Sequence, residues 1–203
     1  MNRILGIDTA SARFAVAYSG PPVSELQLVE DEAGQDHSRL LLAAVRNVLG
    51  SERGGVEAIV AITGPGSYAG IRVGVATAQA LGFAWGVPVY GVGTLESAAA
   101  AGPPAQTTVV HPAGRGEFAI QTWAASLPRG PITIVPAEAL AAIGPVGEGA
   151  GSFGGTEIGA AARLTAALRL VAAGSRAAGT DVMYLREPNI TASRRPPVVA
   201  AAI

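Results

Sequence analysis

Asp8 closes a short apolar run, Arg3 to Asp8, and Thr9 and Ser11 follow at once. A carboxylate at the end of a strand with hydroxyls beside it can hold a hydrated cation or orient the phosphates of a nucleotide. The same residues also suit an Asx-type cap on a turn between two strands. A second cluster, Gly64-Pro65-Gly66-Ser67-Tyr68-Ala69-Gly70, lies between an apolar run and a stretch of helical composition. Glycines at such a place let backbone N–H groups converge on an anion at a helix N-terminus. Gly64, Gly66, Ser67 and Gly70 therefore join Asp8, Thr9 and Ser11 as candidate nucleotide- or anion-binding residues. The run lacks a phosphate-cradling Lys and the G-x-G-x-x-G order, so its glycines can equally serve turn geometry and helix packing alone.

The remaining chemistry is narrow. The 203 residues contain no Cys, and all 14 cationic residues are Arg, which removes thiolate nucleophiles, disulfides, Schiff-base chemistry and any Lys base. His37 and His111 stand apart, neither with a second His or an acid at metal-ligand spacing, so no metal site and no catalytic residue is assigned. His37 reads as a cap or packing residue at the start of a helix, and His111 as a loop residue ahead of Pro112. Arg194-Arg195, followed by two prolines, reads as a solvated tail. A formal net charge of −1 gives no field for nucleic acid, so any RNA contact would be local or through a partner.

The elements that must position these residues follow from pattern. Strands are expected at 3–8, 13–18, 23–30, 58–63, 87–92, 107–111, 117–123 and 132–135. Helices are expected from an Asp36 cap to Leu49 with Gly50 as the stop, from the Ser67 cap to Trp85, from Thr94 or Ser97 to Ala101, over 136–143, and over 157–173. Residues 112–116 are expected to be the loop between two of the strands, 146–155 a glycine-rich turn, and the chain beyond Asp181 an extended tail. Val73 to Leu95 holds no ionised residue, but it breaks at Gly86-Val87-Pro88 into a helix and a strand rather than a membrane span. MNRILGID does not read as a signal peptide, and a cytoplasmic location is expected. Gly102-Pro103-Pro104 divides an N-terminal lobe, 1–101, from a smaller C-terminal lobe, 102–203.

IDTA at 7–10, DHSRLL at 36–41, GPGSYAGIRVGVATAQALG at 64–82 and GVGTLE at 91–96 resemble the bacterial TsaB family, also labelled glycoprotease-like or M22-peptidase-like. The resemblance covers residues 3–100; beyond them it rests on Gly116-Glu117 and Tyr184-Leu185-Arg186. Ala69 stands where the family usually has Thr, and Pro112 where an Asp is usual. The resemblance implies an α/β, two-lobed fold of the actin, sugar-kinase and Hsp70-ATPase type, ribonuclease H-like, with a reduced second lobe. It implies a non-catalytic subunit of the machinery that makes tRNA threonylcarbamoyladenosine. That subunit pairs with its catalytic paralogue TsaD, supports recruitment of the ATPase TsaE, touches tRNA only indirectly, and forms a homodimer when alone. No cofactor is required, and ATP or ADP at the subunit interface is the remaining nucleotide expectation.

In this family the pairing surface is the helix pair of the first lobe. Helices 37–49 and 67–85 are correspondingly more apolar or small-residue than one core contact requires. The expected interface residues are Leu40, Leu41, Ala44, Val45, Val48, Gly70, Ile71, Gly74, Val75, Ala78 and Leu81. Two other readings compete. An active ATPase or kinase of the same fold needs a second acid besides Asp8, with 147–155 as a remnant adenosine clamp. A glycopeptidase has no zinc ligands.

Overall fold

The computed structural model describes residues 3–20, 23–32, 37–50, 55–104, 106–174 and 178–185, and these form two five-stranded sheets built to one plan. In the first sheet β1 (Ile4–Asp8), β2 (Arg13–Gly20) and β3 (Val23–Glu32) make an antiparallel meander. Two strands parallel to β1 extend it, β4 (Ala58–Ile62) and β5 (Val89–Val92), giving the order β3-β2-β1-β4-β5. The second sheet repeats this. β6 (Thr107–Gly114), β7 (Glu117–Ala124) and β8 (Leu127–Pro136) form the meander, and β9 (Val146–Gly147) and β10 (Thr156–Glu157) run parallel beside β6. The repeated order and the helices between the sheets are the expected two-lobed α/β architecture. The second lobe keeps the full strand number, but its last two strands have only two residues each.

Helices α1 (His37–Leu49) and α2 (Tyr68–Trp85) cover the first sheet on one face, and α4 (Ala160–Ala172) covers the other. Alternation along β1 sets which side chain meets which helix. A Cβ on Gly74 of α2 would meet the Thr9 hydroxyl and Ile7, whereas a Cβ on Gly6 would lie 2.8 Å from Leu164 Cδ1 of α4. Ile7 and Thr9 thus face α2, and Gly6 and Asp8 face α4. The third helix, α3 (Thr94–Ala101), packs against β6 and against α4, so α3 and α4 lie between the two sheets. The continuous apolar run Ala58–Ile62 is buried along its whole length, as a strand covered on both faces must be.

Several expectations change. The division near residue 102 separates the sheets, but α4 returns to the first lobe: Ala160, Leu164, Ala167, Leu168 and Val171 belong to the core built around β1 and β4. The helix expected over 136–143 is a single 3-10 turn, Ala137–Leu140, because β8 runs on to Pro136 and only Leu140 is buried there. Residues 112–116 are not a loop throughout, since β6 continues to Gly114 and the reversal falls at Arg115 and Gly116, both at positive φ. His111 accordingly sits inside a strand, 2% exposed. Within the expected turn 146–155 the chain forms β9 and a 3-10 turn, Ala150–Phe153, before β10 begins. Residues 178–183 pack along the β5 edge, with Gly91 N–H donating to Gly179 O and Met183 N–H to Thr63 O. Asp36, Arg194-Arg195 and the chain from Arg186 onward lie outside the described residues.

The uncharged stretch 73–95 divides as expected. Gly86 ends α2 in the left-handed conformation, at φ 67°, which a side chain would strain, and β5 follows. Among the described residues no helix is long and apolar enough to cross a membrane.

Candidate functional site

Ser67 caps α2, its Oγ accepting a hydrogen bond from Gly70 N–H at 3.2 Å. The glycines around it are filled from within the chain. A Cβ on Gly66 would run into Ala10 O, and one on Gly70 into Thr9 O. Ser67 N–H donates to Ala10 O at 2.6 Å, and the Thr9 hydroxyl donates to Gly70 O at 2.8 Å. The β1–β2 turn is therefore seated on the start of α2, and the two sequence clusters singled out as an anion site are each other's partners. Gly64 is likewise covered, since a Cβ there would meet Met183 O. Close backbone approach accounts for these glycines.

Asp8 is fully buried. Its Oδ1 accepts from Ala10 N–H at 2.9 Å, the Asx turn foreseen in the sequence, and its Oδ2 lies 3.1 Å from both Nε and Nη2 of Arg163. Arg163, one turn into α4 and itself 0% exposed, reaches further with its other nitrogens. Nη2 donates to Ser11 Oγ at 3.2 Å, and Nη1 to Glu148 Oε2 at 2.5 Å and to Ile158 O at 3.5 Å. Asp8 and Ser11 come from the first sheet and Glu148 from the turn after β9 in the second, so one guanidinium ties both lobes. His111 completes the cluster, with Nδ1 3.7 Å from Glu148 Oε2 and without a hydrogen-bond partner.

The electrostatics follow from burial. Burial alone would lower the Arg163 pKa, but the attraction of Asp8 and Glu148 outweighs it and holds the guanidinium above its ordinary value. Complete burial pushes the Asp8 carboxyl up, against the opposing pull of Arg163 and the Ala10 N–H, with Glu148 adding to the push. Burial, and then the Arg163 charge, drive His111 down to about 3, so it is a neutral imidazole at ordinary pH. Sequence reading found Asp8 and Ser11 but missed Arg163 and Glu148. Arg163 sits in an Ala-rich helical run on the side of its apolar residues, and that was the available signal: an Arg on a buried face needs a carboxylate partner.

The second glycine-rich run is also supplied from within. Gly149 N–H and Gly151 N–H donate to the two carboxylate oxygens of Glu157 at 2.9 and 3.1 Å. Among the described residues no group of three His, Asp or Glu side chains gathers as a metal site.

The helix pair is arranged differently from the sequence expectation. Leu41, Ala44, Val45 and Val48 of α1, and Gly70, Ile71, Gly74, Val75 and Ala78 of α2, are buried against the chain's own sheet, and Leu40 and Leu81 are half-buried against the same core. The apolar stripe of each helix is its core face. The outer face shows Leu42 and Ala43 of α1, and Ala69, Ala76, Ala80 and Phe83 of α2, the last 93% exposed. Arg72 lies among them, its Nη1 donating to Tyr68 Oη at 3.0 Å and its guanidinium over that ring. The two helices contain Arg39, Arg46 and Arg72 and no Asp or Glu.

Residues 28–125 match the family model described as TsaD, tRNA N6-adenosine threonylcarbamoyltransferase. The fold is similar to that of a protein of Pseudomonas aeruginosa described as uncharacterized with similarity to the peptidase YeaZ. That match has a TM-score of 0.73 at 22% identity and covers 92% of this chain and 100% of the other. It is also similar to YeaZ from Pseudomonas aeruginosa, with a TM-score of 0.65 at 20% identity over 88% of this chain and 96% of that one.

Proposed function

We propose, from the premise that the TsaB-family resemblance is supported both by the TsaD family match and by the YeaZ-like fold, that this chain serves tRNA modification as a non-catalytic scaffold. The family match supports the tRNA-modification role itself. The finer reading is that the outer face of α1 and α2 docks against the corresponding helices of the catalytic TsaD-like paralogue in a four-helix contact, or against a second copy in a two-fold dimer when the paralogue is absent. The paired subunits would support a TsaE-like ATPase and meet tRNA only through the paralogue.

The observation that carries this reading is Phe83, 93% exposed on a helix face that also shows Ala76 and Ala80. Covering such a side chain contributes about 1.5–3 kcal/mol, and a specific contact of about 800 Å² per partner would cover its neighbours too. The two helices bring Arg39, Arg46 and Arg72 and no acid, so an acidic partner face complements them and an identical one repeats their sign. Placing Arg at Ala76 or Ala80 is expected to abolish co-purification with the paralogue while the chain stays folded. An unaffected complex would count against this surface. Calorimetry with ATP and ADP, with the paralogue present, tests the remaining nucleotide expectation at the subunit interface; silence there would retire it.

The kinase or ATPase reading requires Asp8 to orient a metal, and both oxygens of that carboxylate are already engaged by Ala10 N–H and Arg163. A hydrolysis assay on the chain alone separates that reading from the scaffold.

A further inference from the structure

The place where a nucleotide with its cation would sit in a two-lobed ATPase is the cleft between the sheets, beside the end of β1. The residues present do not fit that group. Asp8, fully buried, and Glu148, partly buried, approach each other from the two lobes, and two carboxylates so placed repel unless something positive stands between them. Arg163 stands there. Each of its three nitrogens lies against an oxygen, so the buried charge is partnered all round. The groups that would face phosphates are taken as well: Ser67 N–H and Gly70 N–H are bound by Ala10 O and Ser67 Oγ, and the Gly149 and Gly151 N–H groups by Glu157.

We propose that this cleft is self-liganded: the Arg163 guanidinium takes the place of a bound cation between Asp8 and Glu148 and holds the two lobes together with no ligand from solution. The carboxylate of Glu157 does for the second glycine-rich turn what a phosphate would do in a nucleotide-binding relative. The consequence is that the contact between the two lobes is built into the sequence. The inference concerns the isolated chain and is independent of whether a paralogue docks on α1 and α2.

The test needs two measurements on the full chain. In the native protein, the Nε–H of Arg163, assigned by its loss in Arg163→Lys, is expected as a slowly exchanging NMR signal that neither Mg²⁺ with ADP nor Mg²⁺ with ATP moves. Arg163→Ala is expected to lower the melting temperature by about 10 °C. Guanidinium chloride at millimolar levels, below denaturing concentration, should restore part of that loss where sodium chloride at equal ionic strength does not. If Arg163→Ala does not fold, the pair replacement Asp8→Asn with Arg163→Met is expected to fold and to remain indifferent to Mg²⁺ with ADP. A native Arg163 signal displaced by the nucleotide would overturn the proposal. So would a folded Arg163→Ala whose melting temperature is unchanged, or a guanidinium effect no larger than that of sodium.

Discussion

Arg163 and Asp8 lie between the two sheets out of reach of water, whereas the outer side of α2 shows solvent Phe83, Ala76 and Ala80, with Arg72 beside them. These two places run against the rule that holds elsewhere in the core. Inside, each charge has its partner, because a buried carboxylate without one would cost several kcal/mol. Outside, a large apolar side chain has none, because α2 turns its core face, Ile71, Val75 and Ala78, toward its own sheet. The cleft, where a relative of this fold would take a ligand, is satisfied from within. The helix face is not: Phe83 stands 93% exposed on it.

The contrast can be broken at its buried end with the largest effect. Arg163→Met leaves Asp8 buried opposite an apolar chain and should cost about 3–5 kcal/mol in denaturant unfolding, while adding Asp8→Asn should return most of it. A double variant as unstable as the single one would show that the ion pair is not the organising interaction. Gly70→Ala comes next. Its new Cβ runs into Thr9 O, a backbone atom that cannot swing aside, so a loss of about 1–3 kcal/mol or more is expected from thermal melts. A neutral result would mean that the β1–β2 turn is not seated on α2.

Acid sharpens the same region. His111 is depressed in the folded protein to about 3 against 6.5 for the free side chain, so its contribution is complete above pH 6.5 and is lost as pH falls toward 3. The folded state refuses a proton that the unfolded chain accepts, which gives a slope of up to about 1.4 kcal/mol per pH unit. Arg163 faces this imidazole with like charge and Glu148 with opposite charge. Asp8, shifted upward, acts with the other sign: its contribution is present below its unfolded value and is lost as pH rises through the folded one. His111→Gln should flatten the acid limb, and titration of stability in the two proteins isolates the His term. An unchanged limb would place the acid sensitivity elsewhere.

The exposed end gives the smallest effect on folding. Phe83→Ala touches nothing in the core and should alter stability by no more than about 0.5 kcal/mol, yet weaken association on the order of 10–100-fold. Equal losses in both would show that Phe83 serves the fold instead.

Most strands of the first sheet were legible because β1, β4 and β5 are short apolar runs, whereas β9 and β10, two residues each in and beside a glycine-rich run, carry no such pattern. The Ser67 cap, the Gly50 stop and the break at Gly86 were legible for the same local reasons. The residues on the outer helix face were not. An apolar stripe says that a helix has a covered side, and only the position of the sheet says which neighbour covers it; Leu41 and Val45 point into the chain's own core. Arg163 and Glu148 escaped notice because Asp8 is 155 residues from the one and 140 from the other, a proximity that only the return of α4 to the first sheet creates. Pro112 after His111 reads as a loop signal, yet β6 carries that Pro as a strand residue paired with Phe118.

Sedimentation velocity of the chain mixed with its TsaD-like paralogue, beside the same mixture made with Ala80→Arg, tests the scaffold most directly. A single faster species with the native chain that reverts to separate components with the variant is the result expected. Native chain and paralogue sedimenting independently, or a complex indifferent to the arginine, would contradict it.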